Sequence, residues 1–535
     1  MARFDSITKI LHGRKMPQIY DPNISVGQVI LNVMFKNKNK VIQINDDDGI
    51  EVNCSQMATM MTNVAKNLYR LGFRSGDIAG LFASHTTYVA PAIFGCLLVR
   101  LPVNPIEKSF NVNQIVKIFR ETNPKVVFCD NDVVDKLMAA LGILESEATI
   151  VILNDRIEGF IHITDLIADC NVSEDFIYKT TDEKNSFIVC TSGSSGNQKL
   201  ALITHLQQLQ SYIWTHDFDA DSFDLNMTSY YWLVGLNNLI FRTLHTQKRL
   251  ITSKQFTPDL FIDLIEKYEI NVTFLITSHV ALLTESPRFQ TADFSRIKYL
   301  KTGGIYVSES LRRTVQEKLT NGIVIVGYGM TEFCGVLSET PHDCQLSSSV
   351  GIPSINTDVK IQLDDGTTGY LGEIGEILAR NPVAFSGYYK NKHRAKFDDE
   401  GWLHTGDMGY IDEKYEINII GQRTFAIKNV VNEIFPFDIE NKICSLNGIN
   451  QAVVVGTPDS IEIEIPTALV VRDSNSDVDE NDILEATNDL PTYKHIRGGV
   501  FFVDSLPTTN SGKVERKKSK ELAMKLKIER ESRTE

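Results

Sequence analysis

The sequence predicts an α/β protein: a large N-terminal domain of mostly parallel sheets flanked by helices, then a small α+β domain. Three observations carry this. Segments of helical period repeatedly precede short, buried runs rich in β-branched residues. At 535 residues the chain is too long for a single core. Near residue 420 a turn-rich stretch is followed by compact short elements.

Taken in order, Met57, Met60, Met61, Val64, Leu68 and Leu71 recur at three- and four-residue spacing, and Gly72 supplies a stop, which makes an amphipathic helix. Lys125–Cys129 and Ile150–Leu153 read as buried strands. Leu260, Phe261, Leu264, Ile265 and Tyr268 form a second helix leading into a strand at Val272–Ile276, and Ile323–Val326 is another. Helix followed by buried strand implies parallel sheets. The domain boundary is expected at Ile420-Gly-Gln-Arg-Thr424, dividing the chain into 1–420 and 421–535. Beyond it come strands at 452–455, 467–471 and 500–503, an acidic loop over 472–480 and a charged helix from about Lys513.

Composition excludes several classes. With 42% hydrophobic and 23% charged residues the chain is an ordinary globular protein. A net charge of −14 argues against a general nucleic-acid binder, and it means that an anionic substrate needs local cations. Cys54, Cys96, Cys129, Cys170, Cys190, Cys334, Cys344 and Cys444 are scattered without metal spacing, as expected of small buried residues in a reducing compartment. The best apolar run, Val89–Val99, is about eleven residues and contains Pro91, well short of the roughly twenty a membrane span needs. No secretory h-region opens the chain and no Ser-Lys-Leu closes it, so cytosol is the expected location.

Five stretches can carry chemistry. Residues 400–413 read as a turn-rich loop in which Asp407 follows Gly406, and its carboxylate can accept two hydrogen bonds from a ribose diol. Taken alone, an aspartate after a glycine is more often a turn residue. Cys190-Thr-Ser-Gly-Ser-Ser-Gly-Asn-Gln-Lys199 follows an apolar strand. Its glycines Gly193 and Gly196, its hydroxyls Thr191, Ser192, Ser194 and Ser195, and the cation of Lys199 suit a triphosphate, although a plain surface loop fits the same residues. It lacks the Gly-Lys-Ser/Thr ending of a Walker A loop. In Gly327-Tyr-Gly-Met-Thr-Glu332, Tyr328 offers a flat face to a base, Thr331 a hydroxyl and Glu332 a ligand for Mg²⁺; a glycine-rich strand-to-helix turn is the plainer reading. Gly303-Gly304 ends a strand and permits close approach of a ligand. Lys513, in Asn510-Ser-Gly-Lys, can place a positive charge where negative charge develops.

Together and in this order these stretches resemble the adenylate-forming superfamily from about residue 20 to 525, on Trp402-Leu-His-Thr-Gly-Asp407 above all. Gly498–Asp504, Ser386-Gly-Tyr-Tyr389 and Gly366–Glu376 are similar to the insect branch of acyl-CoA synthetases and firefly luciferase. The resemblance implies a small C-terminal domain that moves over the large one. It implies ATP, Mg²⁺ on Glu332, CoA, and a carboxylic acid attacking the α-phosphate. Thr191–Lys199 would hold the phosphates; Gly303, Gly304, Gly327, Tyr328, Gly329 and Met330 the adenosine; Asp407 the ribose. Lys513 and Thr331 would serve adenylation, and Lys428 the thioester step after rotation. Trp232 and Gly235 would line the acid pocket.

The departures are specific. Ser195, Gln198 and Leu200 stand where Thr, Pro and Gly are usual; Gln422, Arg423 and Thr424 alter the hinge; Val431 replaces a glycine on the CoA path. Tyr231-Trp232-Leu-Val-Gly235 lacks the usual histidine, predicting a more apolar pocket. The expected activity is therefore AMP-forming ligation of a medium- or long-chain fatty acid to CoA. Two alternatives remain beside it: a weakened paralogue that binds without full turnover, and luciferase-type oxygenation.

Overall fold

The computed structural model describes residues 2–17, 20–179, 182–191, 199–213, 221–342, 347–383, 385–390, 397–429, 433–459, 461–473, 476–508 and 513–534. Ser192, Gly193, Ser194, Ser195, Gly196, Gln198, Val431 and the turn 510–512 lie outside these residues.

Among the described residues, strands form sheets of seven, nine and six strands in the first 422 residues, followed by a two-stranded and a three-stranded sheet. The seven-stranded sheet has a parallel centre, Val103–Pro105, Ala79–Phe82, Val126–Cys129 and Thr149–Ile152, with Leu200–Thr204 antiparallel at one edge. The nine-stranded sheet has parallel neighbours Phe223–Asn226, Val272–Ile276, Tyr299–Gly303 and Ile323–Met330, then turns antiparallel at Gly335–Glu339. The expected amphipathic helices are Cys54–Arg70 and Pro258–Tyr268. Asn53 closes a capping box with Gln56 at the start of the first, and Gly72 lies beyond its end at φ 98°. The apolar run Val89–Val99 is a helix buried along its whole length, against Val64 and Met61 of Cys54–Arg70. Among the described residues no helix is long and apolar enough to cross a membrane.

The six-stranded sheet is antiparallel throughout and was not foreseen. It corrects the reading of residues 400–413 as a loop: Leu403–Ile411 is a nine-residue strand between Gly375–Arg380 and Ile417–Gln422. Its turn residues mark a bulge. Gly406 sits at φ 77°, and the register shifts between Met408 and Gly409. Trp402 is 1% exposed under Lys360 and Arg380, whose cations lie 4.5 and 4.4 Å from its ring. Burial of such a side chain, worth about 2–3 kcal/mol, anchors the strand's start.

The strand Ile417–Gln422 runs past the expected boundary at 420. Beyond it Ile449–Asp459 pairs antiparallel with Ile463–Arg472, and Val500–Phe502 adds in parallel. The stretch expected as an acidic loop over 472–480 ends in a helix, Glu480–Ala486, because Asp479 forms a capping box with Asp482. The terminal helix is Arg516–Thr534.

A half-buried histidine, His85, and a buried one, His205, link this fold to pH. His85 stacks on Tyr230 at 4.1 Å with Nε2 3.0 Å from the Thr228 carbonyl, and burial pushes its pKa down to about 4. His205 accepts from the Val26 N–H at 3.3 Å, and burial pushes it down to about 3. Both are neutral when folded and take up a proton near pH ~6.5 when unfolded. Their stability contribution is present above that pH and is lost as pH falls toward the folded values, by up to about 1.4 kcal/mol per pH unit each. The thermal midpoint is expected to fall between pH 7 and 5, less steeply in His85→Phe. An equal slope in the variant would show that His85 does not contribute.

Candidate active site

Side chains from four separate segments meet at the C-terminal ends of the nine-stranded sheet. The first correction is local. Gly327, Tyr328, Gly329 and Met330 do not form a turn; they are the last residues of the strand Ile323–Met330. Thr331–Phe333 then makes one short helical turn, with Glu332 only 7% exposed. The Tyr328 hydroxyl donates to Asp407 Oδ2 at 2.5 Å, and Gln422 Nε2 donates to Asp407 Oδ1 at 2.8 Å. Asp407 is thus oriented from both sides, and Gln422, a hinge departure, is one of its supports. Burial and the negative charge of Asp407 push the Tyr328 phenol well up, so it stays a donor.

Lys513, about one hundred residues beyond Asp407, comes to the same place. Burial pulls its ammonium below the ordinary lysine value, while Asp407 and Glu332 oppose that shift. The site therefore joins two carboxylates and a desolvated cation.

The phosphate-loop segment is described only at its ends. The Thr191 N–H donates to the Lys199 carbonyl at 2.8 Å, and the Lys199 N–H donates to Thr191 Oγ1 at 3.3 Å. Thr191 and Lys199 are therefore held side by side at the end of the hairpin Asn185–Cys190 and Leu200–Thr204. Lys199 Nζ lies 4.8 Å from the Tyr388 ring centroid. The Tyr388 hydroxyl donates to Glu332 Oε1 at 2.6 Å. Sequence reasoning gave Tyr388 no role, although Ser386-Gly-Tyr-Tyr389 was in view; nothing local signals a contact with a residue 56 positions away.

Several glycines are required by close backbone packing. A Cβ on Gly303 would stand 2.3 Å from the Gly327 carbonyl oxygen, and one on Gly329 2.1 Å from that of Gly335. A Cβ on Gly235 would meet the Ser229 carbonyl at 2.5 Å, so Gly235 lets its helix, Leu233–Leu244, sit on the preceding turn. Gly304, at φ 92°, faces open space, and Gly327 has nothing closer than 3.9 Å.

Trp232 caps the same helix, half-buried against Tyr231 with centroids 4.6 Å apart. Further along, the expected apolar surface gives way to polar groups. Asn237 donates to the Cys334 carbonyl at 3.0 Å and accepts from Gln208 at 2.8 Å. Lys301 is paired with Glu339 at 3.3 Å, yet its side chain keeps 16% exposure in a central strand. Phe274 is its register partner on the same face, and both are half-buried.

The hinge residues Arg423 and Thr424 are exposed in a single turn, Arg423–Phe425, with Arg423 paired to Asp364 at 2.8 Å. Lys428 is exposed, and its N–H is bound to Glu464 at 2.9 Å.

This combination of a three-sheet region and a small C-terminal region whose Lys513 reaches Asp407 and Glu332 has counterparts. The profile of AMP-binding enzymes matches residues 33–389, and that of the AMP-binding enzyme C-terminal domain matches 438–513. The chain belongs to the AMP-binding enzyme family. It is a member of the adenylate-forming superfamily. It is 24% identical over 532 residues to a probable 4-coumarate–CoA ligase 1 of Dictyostelium discoideum, covering 95% of this chain and 97% of the relative. It is 25% identical to the luciferin 4-monooxygenase of Photinus pyralis, over 90% of this chain and 91% of that one. The ATP-bound MatB of Rhodopseudomonas palustris shares the fold, with a TM-score of 0.82 at 22% identity, covering 94% of this AMP-binding enzyme and all of MatB.

Proposed function

We propose that the protein activates a carboxylic acid with ATP and passes the acyl group to CoA. The acid oxygen forms a bond to the α-phosphorus, the bond to the β-phosphate oxygen breaks, and pyrophosphate leaves. The CoA sulfur then takes the acyl carbon and AMP departs. The observation that carries this reading is Lys513, half-buried within electrostatic reach of both Asp407 and Glu332. In a desolvated site a fixed cation stabilises charge growing on the phosphoryl oxygens far more than it would in water. Asp407, oriented by Tyr328 and Gln422, would accept from the ribose hydroxyls. Thr191, Lys199 and the intervening loop would hold the phosphates, and Thr331 would add a hydroxyl. Glu332 fits Mg²⁺, which takes one or two carboxylates plus phosphate oxygens rather than a full protein cage; bound there, it would neutralise triphosphate charge.

The acid we propose is aliphatic, of medium or long chain, with a polar group toward its far end. The half-buried rings of Trp232 and Phe274 would favour a hydrocarbon tail, while Asn237 and Lys301 would favour a polar group. Pyrophosphate exchange with a panel of plain fatty acids, hydroxylated fatty acids and 4-coumarate tests both parts. A hydroxylated medium-chain acid is expected to exceed its plain counterpart about tenfold in kcat/KM. A plain acid exchanging equally well would remove the polar group from the proposal, and no exchange with any acid would remove the enzyme reading itself.

A further inference from the structure

We propose that Tyr388 is a positioning residue that fastens the Glu332 carboxylate and ties it to the base of the phosphate loop. The inference rests on the reading of Glu332 as the Mg²⁺ ligand.

The position of Tyr388 is set by backbone. Its segment lies along the edge strand Leu200–Thr204, which begins directly after Lys199. The Leu202 N–H donates to the Gly387 carbonyl at 3.0 Å, the Tyr389 N–H donates to the Leu200 carbonyl at 2.7 Å, and Ala201 bridges to Tyr388. Gly387, at φ 106°, makes the bend that a side chain would oppose. The ring is 5% exposed, edge-on to Phe385 at 5.3 Å. One side chain therefore touches both halves of the triphosphate site. Its hydroxyl donates to Glu332 Oε1 at 2.6 Å, and its face lies 4.8 Å from the Lys199 ammonium.

The consequence concerns the metal more than the nucleotide. A glutamate side chain left to itself samples several rotamers, and holding it still before binding removes that entropy cost. A carboxylate has about four lone-pair sites, so accepting one phenolic hydrogen bond leaves coordination possible and fixes its direction. The ring also offers Lys199 a resting place against its π-face, next to where phosphate charge arrives. A tyrosine serving only to fill the core would need neither the hydroxyl contact nor the cation.

Tyr388→Phe keeps the ring, the packing and the cation contact and removes only the hydroxyl. The experiment is calorimetric binding of the α,β-methylene analogue of ATP to the full chain over a MgCl₂ series, with thermal midpoints as the folding control. The Mg²⁺ concentration at half-maximal enhancement of binding is expected to rise about tenfold in Tyr388→Phe, with metal-free affinity unchanged. In a Glu332→Gln background the same change is expected to add nothing. An unshifted Mg²⁺ dependence in Tyr388→Phe, or an equal further shift in the double variant, overturns the positioning role. An unshifted dependence in Glu332→Gln alone overturns instead the reading of Glu332 on which it rests.

Discussion

Lys513→Ala is expected to lower acid-dependent pyrophosphate exchange by about 10²- to 10³-fold, the cost of removing one preorganised electrostatic contact from a transition state. Two features of its setting make the effect large. Burial has already desolvated the ammonium, so its field is weakly screened, and its neighbours Asp407 and Glu332 would otherwise repel the incoming triphosphate. The loss is expected in kcat more than in ATP affinity, since the charge it answers grows during the reaction. Exchange kinetics at saturating ATP, beside equilibrium binding of ATP, separate the two. Undiminished exchange would remove Lys513 from the adenylation step.

Lys428→Ala is expected to do the opposite, leaving pyrophosphate exchange within about twofold while lowering acyl-CoA formation by about 10²-fold or more. In this conformation Lys428 is exposed and held by its backbone to Glu464, while Lys513 occupies the site. Both belong to the C-terminal part of the chain, so a rotation about the exposed turn Arg423–Phe425 would withdraw one as it brings up the other. Single-turnover assays that follow acyl-adenylate and thioester separately check this. If the two variants behave alike in adenylation, the division of labour between the lysines is wrong. The altered hinge bears on the same measurement: Gln422 already bonds Asp407, so adenylation is supported by a residue that departs from the usual pattern.

Much of the site was legible because its chemistry is local. Asp407 beside Gly406, Glu332 after Thr331, and Lys199 closing a run of glycine and hydroxyl residues announce what they can bind from residue type alone. The helices at 54–70 and 258–268 were legible through their period and their stops. The misreadings share one cause. Residues 403–411 and 327–330 look like turns because they are rich in glycine, yet they are strands, since partner strands on either side use their backbone groups and glycine allows the close approach. The apolar reading of Tyr231 to Gly235 could not include the contacts of Asn237 with Cys334 and Gln208, which come from distant parts of the chain.

The sequence by itself determined the candidate groups, their order and the alternation of helix and strand, all set by side-chain chemistry and short-range periodicity. The tertiary structure alone decided which groups meet. Tyr328 reaches Asp407 across 79 residues, Tyr388 reaches Glu332 across 56, and Lys513 joins them from the far end of the chain. Such meetings follow from sheet register and from one region docking on another, and neither leaves a signal in local spacing.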